Sequence, residues 1–65
     1  MFSERLKELR LEKEFSQSQL AQKLNVSKQN ISDWENGKSE TSFEMLTKIA
    51  KLFDVSTDFL LGLED

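Results

Sequence analysis

The sequence predicts an all-α fold of five short helices. Its 65 residues include no proline and only two glycines, so few residues interrupt helix formation. Apolar residues recur at intervals of three and four, which is the helical period. Serine or threonine, the preferred capping residues, precedes each predicted helix after the first. Because so short a chain builds only one small core, we expect a single domain over residues 1–65.

The first helix is predicted from about Ser3 to Lys13. Leu6 and Leu9 are three residues apart, and Phe2 joins them on the face that should be buried. Leu11 lies off this face, and we expect it to be exposed.

The second helix begins at Ser16. Ser16 and Gln19 match the capping-box pattern, in which each side chain accepts from the backbone N–H of the other residue, and such a cap contributes about 1 kcal/mol. Leu20, Ala21 and Leu24 form the apolar face. Asn25 ends the helix, because asparagine tolerates the left-handed conformation that a tight turn requires.

Ser27 should cap a third helix that runs to about Asn36, where Gly37 stops it. Val26 is predicted to be buried in the turn before it. A three-residue turn with an apolar middle residue is the connection found between the two helices of a helix-turn-helix motif. We therefore predict that motif over about residues 16–36.

The fourth helix begins at Thr41 or Ser42, since either residue can cap it. Its apolar residues have the spacing i, i+3, i+4, i+7 of a helix face packed on a core: Leu46, Ile49, Ala50 and Phe53. Ser56 caps a last short helix. That helix carries more apolar residues than it can bury, which indicates either a dimer interface or packing against residues beyond this chain: Phe59, Leu60, Leu61 and Leu63.

The third helix has two chemically different faces. Ile31 and Trp34 lie on one side, and we expect them in the core. The other side spans an arc of about 140° and is called here the polar face: Lys28, Gln29, Ser32, Asp33 and Asn36. In the major groove of DNA, Lys pairs with guanine, Gln and Asn pair with adenine, and Asp accepts from the N4 amine of cytosine. Many polar helix faces contact only water, but the predicted motif favours a DNA-recognition helix.

The composition argues against catalysis and against a bound cofactor. The chain has no Cys and no His, and therefore lacks a thiol nucleophile, the commonest general base, disulfides and the usual zinc ligands. The sequence contains no glycine-rich phosphate loop and no set of residues with metal-ligand spacing.

The net charge of −3 arises from residues 43–65, so it does not exclude a DNA-binding surface elsewhere. The sequence shows no membrane-spanning run and indicates no small-molecule ligand.

The chain resembles the phage-repressor and Cro-like family of helix-turn-helix regulators, also called the xenobiotic-response-element family. The resemblance covers residues 2–62 and is most specific in four segments: Phe15-Ser16-Gln17, Gln19 to Leu24, Val26-Ser27 and Trp34 to Lys38. It implies a lambda-repressor-like fold, a homodimer that binds double-stranded DNA at a palindromic operator and represses transcription there, and a cytoplasmic location in a bacterium or its phage.

The resemblance also implies roles for individual residues. Ser27, Lys28, Gln29, Ser32 and Asp33 match base-contacting positions. Gln17, Asn36, Lys38 and the backbone amides at Ser42 and Phe43 match contacts to the DNA backbone. Arg10 and Glu35 match a buried ion pair between the first and third helices.

Departures from the family pattern occur at a few positions. The family often has Gly where Glu14 stands and Pro where Thr41 stands. It also has basic residues near Ser39 and Glu40, so we expect fewer phosphate contacts here.

The acidic C-terminal third keeps open a second hypothesis, a protein-interaction module of the same fold resembling an antitoxin or an anti-repressor.

Overall fold

A computed structural model describes residues 2–64, and the predicted domain limits at positions 1 and 65 lie outside this range. The described chain contains five helices and no strand, which confirms the predicted all-α class. The helices are α1 (Phe2–Glu12), α2 (Gln17–Leu24), α3 (Lys28–Glu35), α4 (Phe43–Phe53) and α5 (Thr57–Leu60). None of the helices in this range is long and apolar enough to cross a membrane.

Serine caps the N-terminus of each helix after α1, through Ser16, Ser27, Ser42 and Ser56. At α2 both halves of the predicted capping box form, because Ser16 Oγ accepts from the N–H of Gln19 and Gln19 Oε1 accepts from the N–H of Ser16. Of the two candidate caps for α4, Ser42 takes the position and accepts from the N–H of Met45. Thr41 therefore lies outside the cap.

Three non-glycine residues adopt the left-handed conformation that ends a helix or turns the chain. Asn25 ends α2 at φ 58° and Asp54 ends α4 at φ 57°. Glu14, in the loop between α1 and α2, has φ 59°. This conformation explains why glycine suits position 14, since a Cβ atom is strained there.

All five helices contribute residues to one hydrophobic core, and α5 packs against α1 and α4. Twelve hydrophobic residues are buried, including the predicted apolar faces of α2 and α4: Leu6, Leu9, Leu20, Ala21, Leu24, Ile31, Trp34, Leu46, Ile49, Ala50, Phe53 and Leu60. Val26 was predicted to be buried, but it is only partly covered against this cluster because the turn carries it at the surface.

The C-terminal segment is only partly covered. Leu60 is completely buried, and Phe59 is half-buried beneath the guanidinium of Arg5, which lies 4.3 Å from the ring centroid. Leu61 and Leu63 remain 42% and 72% exposed. The prediction that this segment carries more apolar surface than it buries is therefore correct for these two leucines.

Candidate nucleic-acid interface

Helix α3 separates its polar and apolar residues cleanly. Ile31 and Trp34 are buried against the core. On the polar face, Lys28, Gln29 and Asn36 are exposed and Ser32 and Asp33 are half-buried. The helix is therefore fixed by its apolar side while its donors and acceptors face outwards.

The turn between α2 and α3 is built by backbone hydrogen bonds. The Asn25 N–H bonds to the carbonyls of Ala21 and Gln22, and the Val26 N–H bonds to the Ala21 carbonyl at 2.9 Å. Ser27 then starts α3 by accepting from the N–H of Asn30 at 3.1 Å. In that bond the Ser27 hydroxyl oxygen is the acceptor. The hydroxyl hydrogen of Ser27 therefore remains able to donate to a base or a phosphate.

Arg10 and Glu35 form a bidentate ion pair between α1 and α3. Arg10 Nε lies 2.7 Å from Glu35 Oε2 and Arg10 Nη2 lies 3.1 Å from Glu35 Oε1. Both side chains are largely buried, at 10% and 3% exposure. Arg10 Nη1 also donates to the carbonyl of Phe15 at 2.9 Å, so one guanidinium connects α1, the loop before α2, and α3.

The same carboxylate positions Gln17. Gln17 Nε2, at the first residue of α2, donates to Glu35 Oε1 at 3.2 Å. An amide nitrogen carries two hydrogens, so one N–H of Gln17 remains to donate to an acceptor such as a phosphate oxygen. Through Glu35, the N-terminus of α2 is tied to the C-terminus of the helix that carries the polar face.

Residues of the polar face are paired with each other along the helix. Gln29 Nε2 donates to Asp33 Oδ1 at 2.8 Å, and Asn36 Nδ2 donates to Ser32 Oγ at 3.3 Å. Both pairs have the i, i+4 spacing at which helix side chains meet. These hydrogen bonds reduce the number of side-chain conformations that the residues of the polar face sample.

A second group of donors lies at the N-terminus of α4. The first N–H groups of a helix have no hydrogen-bond partner within the helix. The Ser42 hydroxyl accepts a hydrogen bond from one of them, the N–H of Met45. The N–H groups of Phe43 and Glu44 have no partner among the described residues. This arrangement suits an anion. Lys38, four residues before the cap in the sequence, is exposed in the loop after α3.

The positive charge around this surface is sparse. Lys28 and Lys38 are exposed, whereas the ammonium of Lys23 lies 4.8 Å from the centroid of the Phe15 ring. Glu40 and Glu44 place negative charge beside the N-terminus of α4.

Two features of the surface escaped the sequence analysis. Lys48 Nζ on α4 donates to the Leu24 carbonyl at the end of α2, at 2.8 Å. Phe43 is 78% exposed, although the family resemblance implies a role only for its backbone amide. A basic residue that supports a helix C-terminus is a known pattern, but here the two residues are 24 positions apart. Only the tertiary structure brings them together.

Comparison with known proteins gives consistent results. The helix-turn-helix family model matches residues 6–60, most of the chain. An HTH-type transcriptional regulator from an SPbeta prophage of Bacillus subtilis, YonR, is 44% identical over 61 residues, which are 94% of this chain and 56% of that protein. The chain spans 31% to 56% of the length of the first three curated relatives that it matches.

Solved structures of similar proteins share the fold. The biofilm master regulator SinR, crystallised in complex with DNA, is 39% identical with a TM-score of 0.82, over 94% of this chain and 98% of that one. The restriction-modification controller protein C.AhdI of Aeromonas hydrophila is 30% identical with a TM-score of 0.82, over 91% of this chain and 89% of that one.

Proposed function

This chain belongs to the helix-turn-helix family of transcriptional regulators, and from that premise we propose that it binds double-stranded DNA in a sequence-specific manner. The observation that carries the proposal is the division of α3, whose Ile31 and Trp34 are buried while its polar face is turned outwards. An α-helix fits the major groove, and the polar face carries the donors and acceptors that distinguish base pairs there.

The proposed site divides its contacts between bases and the DNA backbone. The base contacts come from the first residues of α3 and its polar face: Ser27, Lys28, Gln29 and Ser32. Asp33, the fifth position that the family resemblance assigns to base contacts, is hydrogen-bonded to the Gln29 side chain. The backbone contacts flank them: Gln17, Asn36, Lys38 and the amides at Ser42 and Phe43. The free N–H of Gln17 and the anion-accepting start of α4 support this division.

We further propose a homodimer that represses transcription at a palindromic operator in the cytoplasm of a bacterium or its phage. One module of this size contacts few phosphates, so two are needed for useful affinity. The exposed Leu61 and Leu63 offer apolar surface for a partner subunit. Repression requires only that the operator be occupied, whereas activation requires a further protein contact.

Selection from a random duplex library with the purified protein tests this function. We expect a palindrome whose half-sites lie about 10 bp apart centre to centre, since paired recognition helices lie about 34 Å apart. A single short asymmetric site bound by a monomer would contradict the dimer. No enrichment over the starting library would contradict DNA recognition itself.

A matched pair of variants places the contact surface. Gln29→Ala removes an exposed group of the polar face and should weaken binding to the selected site with little change on a scrambled duplex. Lys51→Ala changes a residue of α4 whose exposed side chain lies away from the polar face of α3 in the sequence, and this variant should bind as the unaltered protein does.

The second candidate function is a protein-interaction module of the same fold. A shallow apolar groove lined by Phe2, Phe43 and Leu61 favours it. This function predicts that the library selection enriches no sequence and that Gln29→Ala has no effect on DNA affinity.

A further inference from the structure

We propose that Asp33 is a positioning residue, which fixes the orientation of the Gln29 side-chain amide and thereby the base pair that Gln29 selects. The inference rests on the proposed function, since it assigns a role within the same DNA-binding surface. The observation behind it is the 2.8 Å hydrogen bond from Gln29 Nε2 to Asp33 Oδ1.

The chemistry of the two side chains permits only one orientation. An ionised carboxylate accepts hydrogen bonds and donates none, whereas the Gln29 amide has a donor nitrogen and an acceptor oxygen. If the amide turned over, its oxygen would face the carboxylate oxygen and the bond would be lost. Asp33 therefore holds Nε2 towards the C-terminal end of α3 and turns Oε1 the other way.

The hydrogen bond to Asp33 leaves one donor and one acceptor of the Gln29 amide available, and adenine recognition requires both. Nε2 carries two hydrogens, of which Asp33 takes one. The second hydrogen and Oε1 remain together as one donor and one acceptor. An adenine presents the complementary pair in the major groove, with N7 as acceptor and the N6 amine as donor.

A fixed amide also discriminates between base pairs that a freely turning amide would accept. Guanine presents two acceptors, N7 and O6, and the Oε1 of a fixed amide would oppose one of them. Reversing A·T to T·A inverts the order of donor and acceptor across the groove, so the fixed amide matches only one of the two. Asp33 thus contributes to specificity without itself contacting a base.

The experiment begins with the selected operator and the base pair at which Gln29→Ala loses its preference. Affinities for A·T, T·A and G·C at that position are measured at fixed salt for the unaltered protein, Asp33→Asn and Glu40→Gln. A well-placed bidentate contact favours the correct pair by about 5-fold to 160-fold. We expect Asp33→Asn to reduce the preference for A·T over T·A to less than about 3-fold, because asparagine both donates and accepts and allows the amide to turn.

Glu40→Gln is the control for charge. It removes one negative charge from the exposed loop before α4, as Asp33→Asn does on α3, without touching Gln29. Both variants are expected to bind all duplexes more tightly, because each loses a carboxylate near phosphates. Only Asp33→Asn should change the ratio between base pairs. Equal ratios in the two variants would overturn the proposal.

The double variant separates positioning from direct contact. With Gln29→Ala in place, adding Asp33→Asn should change no base-pair ratio, because Asp33 has no amide left to orient. A further loss of preference at another base pair would show that Asp33 contacts a base, such as the N4 amine of cytosine, and would overturn the positioning role.

Nuclear magnetic resonance of the free protein supplies a readout that does not depend on DNA. Asp33→Ala should move the side-chain amide resonances of Gln29 while those of Asn36 stay in place. If the Gln29 resonances do not move, the hydrogen bond is absent and the positioning role fails while DNA binding stands. If the resonances move but the library selection enriches nothing, the proposed function is wrong. The specificity role of Asp33, which rests on that function, is then wrong as well.

Discussion

Lys48 on α4 supports the C-terminal end of α2 by donating a hydrogen bond from Nζ to the Leu24 carbonyl at 2.8 Å. The last carbonyls of a helix lack partners within the helix and carry partial negative charge, so an ammonium group is favoured there. Leu24 is the residue just before the turn that leads to α3. The bond thus connects α4 to the geometry between α2 and α3.

Replacing Lys48 by methionine should lower the free energy of unfolding by about 1 kcal/mol, since the apolar stem is kept and the hydrogen bond is lost. Urea denaturation followed by the fluorescence of Trp34 measures the effect. Lys51→Met on the same helix is the control, because the exposed Lys51 makes no such bond with any described residue. Equal loss of stability in both variants would show that the Lys48 bond contributes nothing.

Glu35→Ala should lower the free energy of unfolding by about 3–5 kcal/mol, because it leaves the largely buried Arg10 guanidinium without its carboxylate. The same urea titration applies. Glu40→Ala removes an exposed carboxylate and should change stability by less than about 0.5 kcal/mol. Unfolding midpoints that coincide for the two variants would rule out a structural role for the ion pair.

Glu14→Gly should stabilise the protein by about 0.5–1 kcal/mol. Glu14 has φ 59°, a conformation that costs a non-glycine residue about 1–2 kcal/mol, and the greater flexibility of glycine in the unfolded chain offsets part of the gain. Glu12→Gly, at the end of α1, is the matched control and should destabilise by up to about 1 kcal/mol. Thermal unfolding distinguishes the two, and a lower melting temperature for Glu14→Gly would contradict the argument.

The dependence of operator binding on salt should be shallow. Lys28, Lys38 and Lys23 are the cations near the proposed surface, which gives about two or three neutralised phosphates per subunit. The slope of log K against log salt is then about −4 to −5 for a dimer. Lys38→Gln should make the slope shallower by about 2 for the dimer, whereas Lys51→Gln should leave it unchanged. A slope near −10 would show that further basic residues contact the DNA.

The helices were predictable because their signals are local. Ser16 with Gln19, and Ser27 before α3, lie within four residues of the backbone groups that they cap, so spacing alone identifies them. The choice between Thr41 and Ser42 was not predictable, because both have the same cap chemistry and only the path of the loop places Ser42 at the helix start.

Contacts between side chains were less accessible to sequence reasoning than the helix caps. The pairing of Arg10 with Glu35 was expected only through the family resemblance, since 25 residues separate them. The Gln29 to Asp33 bond has a spacing that permits contact, but spacing does not say whether two exposed side chains choose each other or the solvent. The proposed roles of the DNA-contacting residues remain predictions for the experiments above.

The two faces of α3 separate what the protein must keep from what it can change during evolution. Ile31 and Trp34 hold the helix in the core, whereas Lys28 projects into solvent. On the proposed function, a mutation at Lys28 alters the operator that is selected without threatening the fold, so related regulators in one cell can diverge in target while keeping one scaffold. Gln29 and Asp33 are the exception, because their hydrogen bond makes a change at one favour a compensating change at the other. In an alignment of descendants, these two positions should covary.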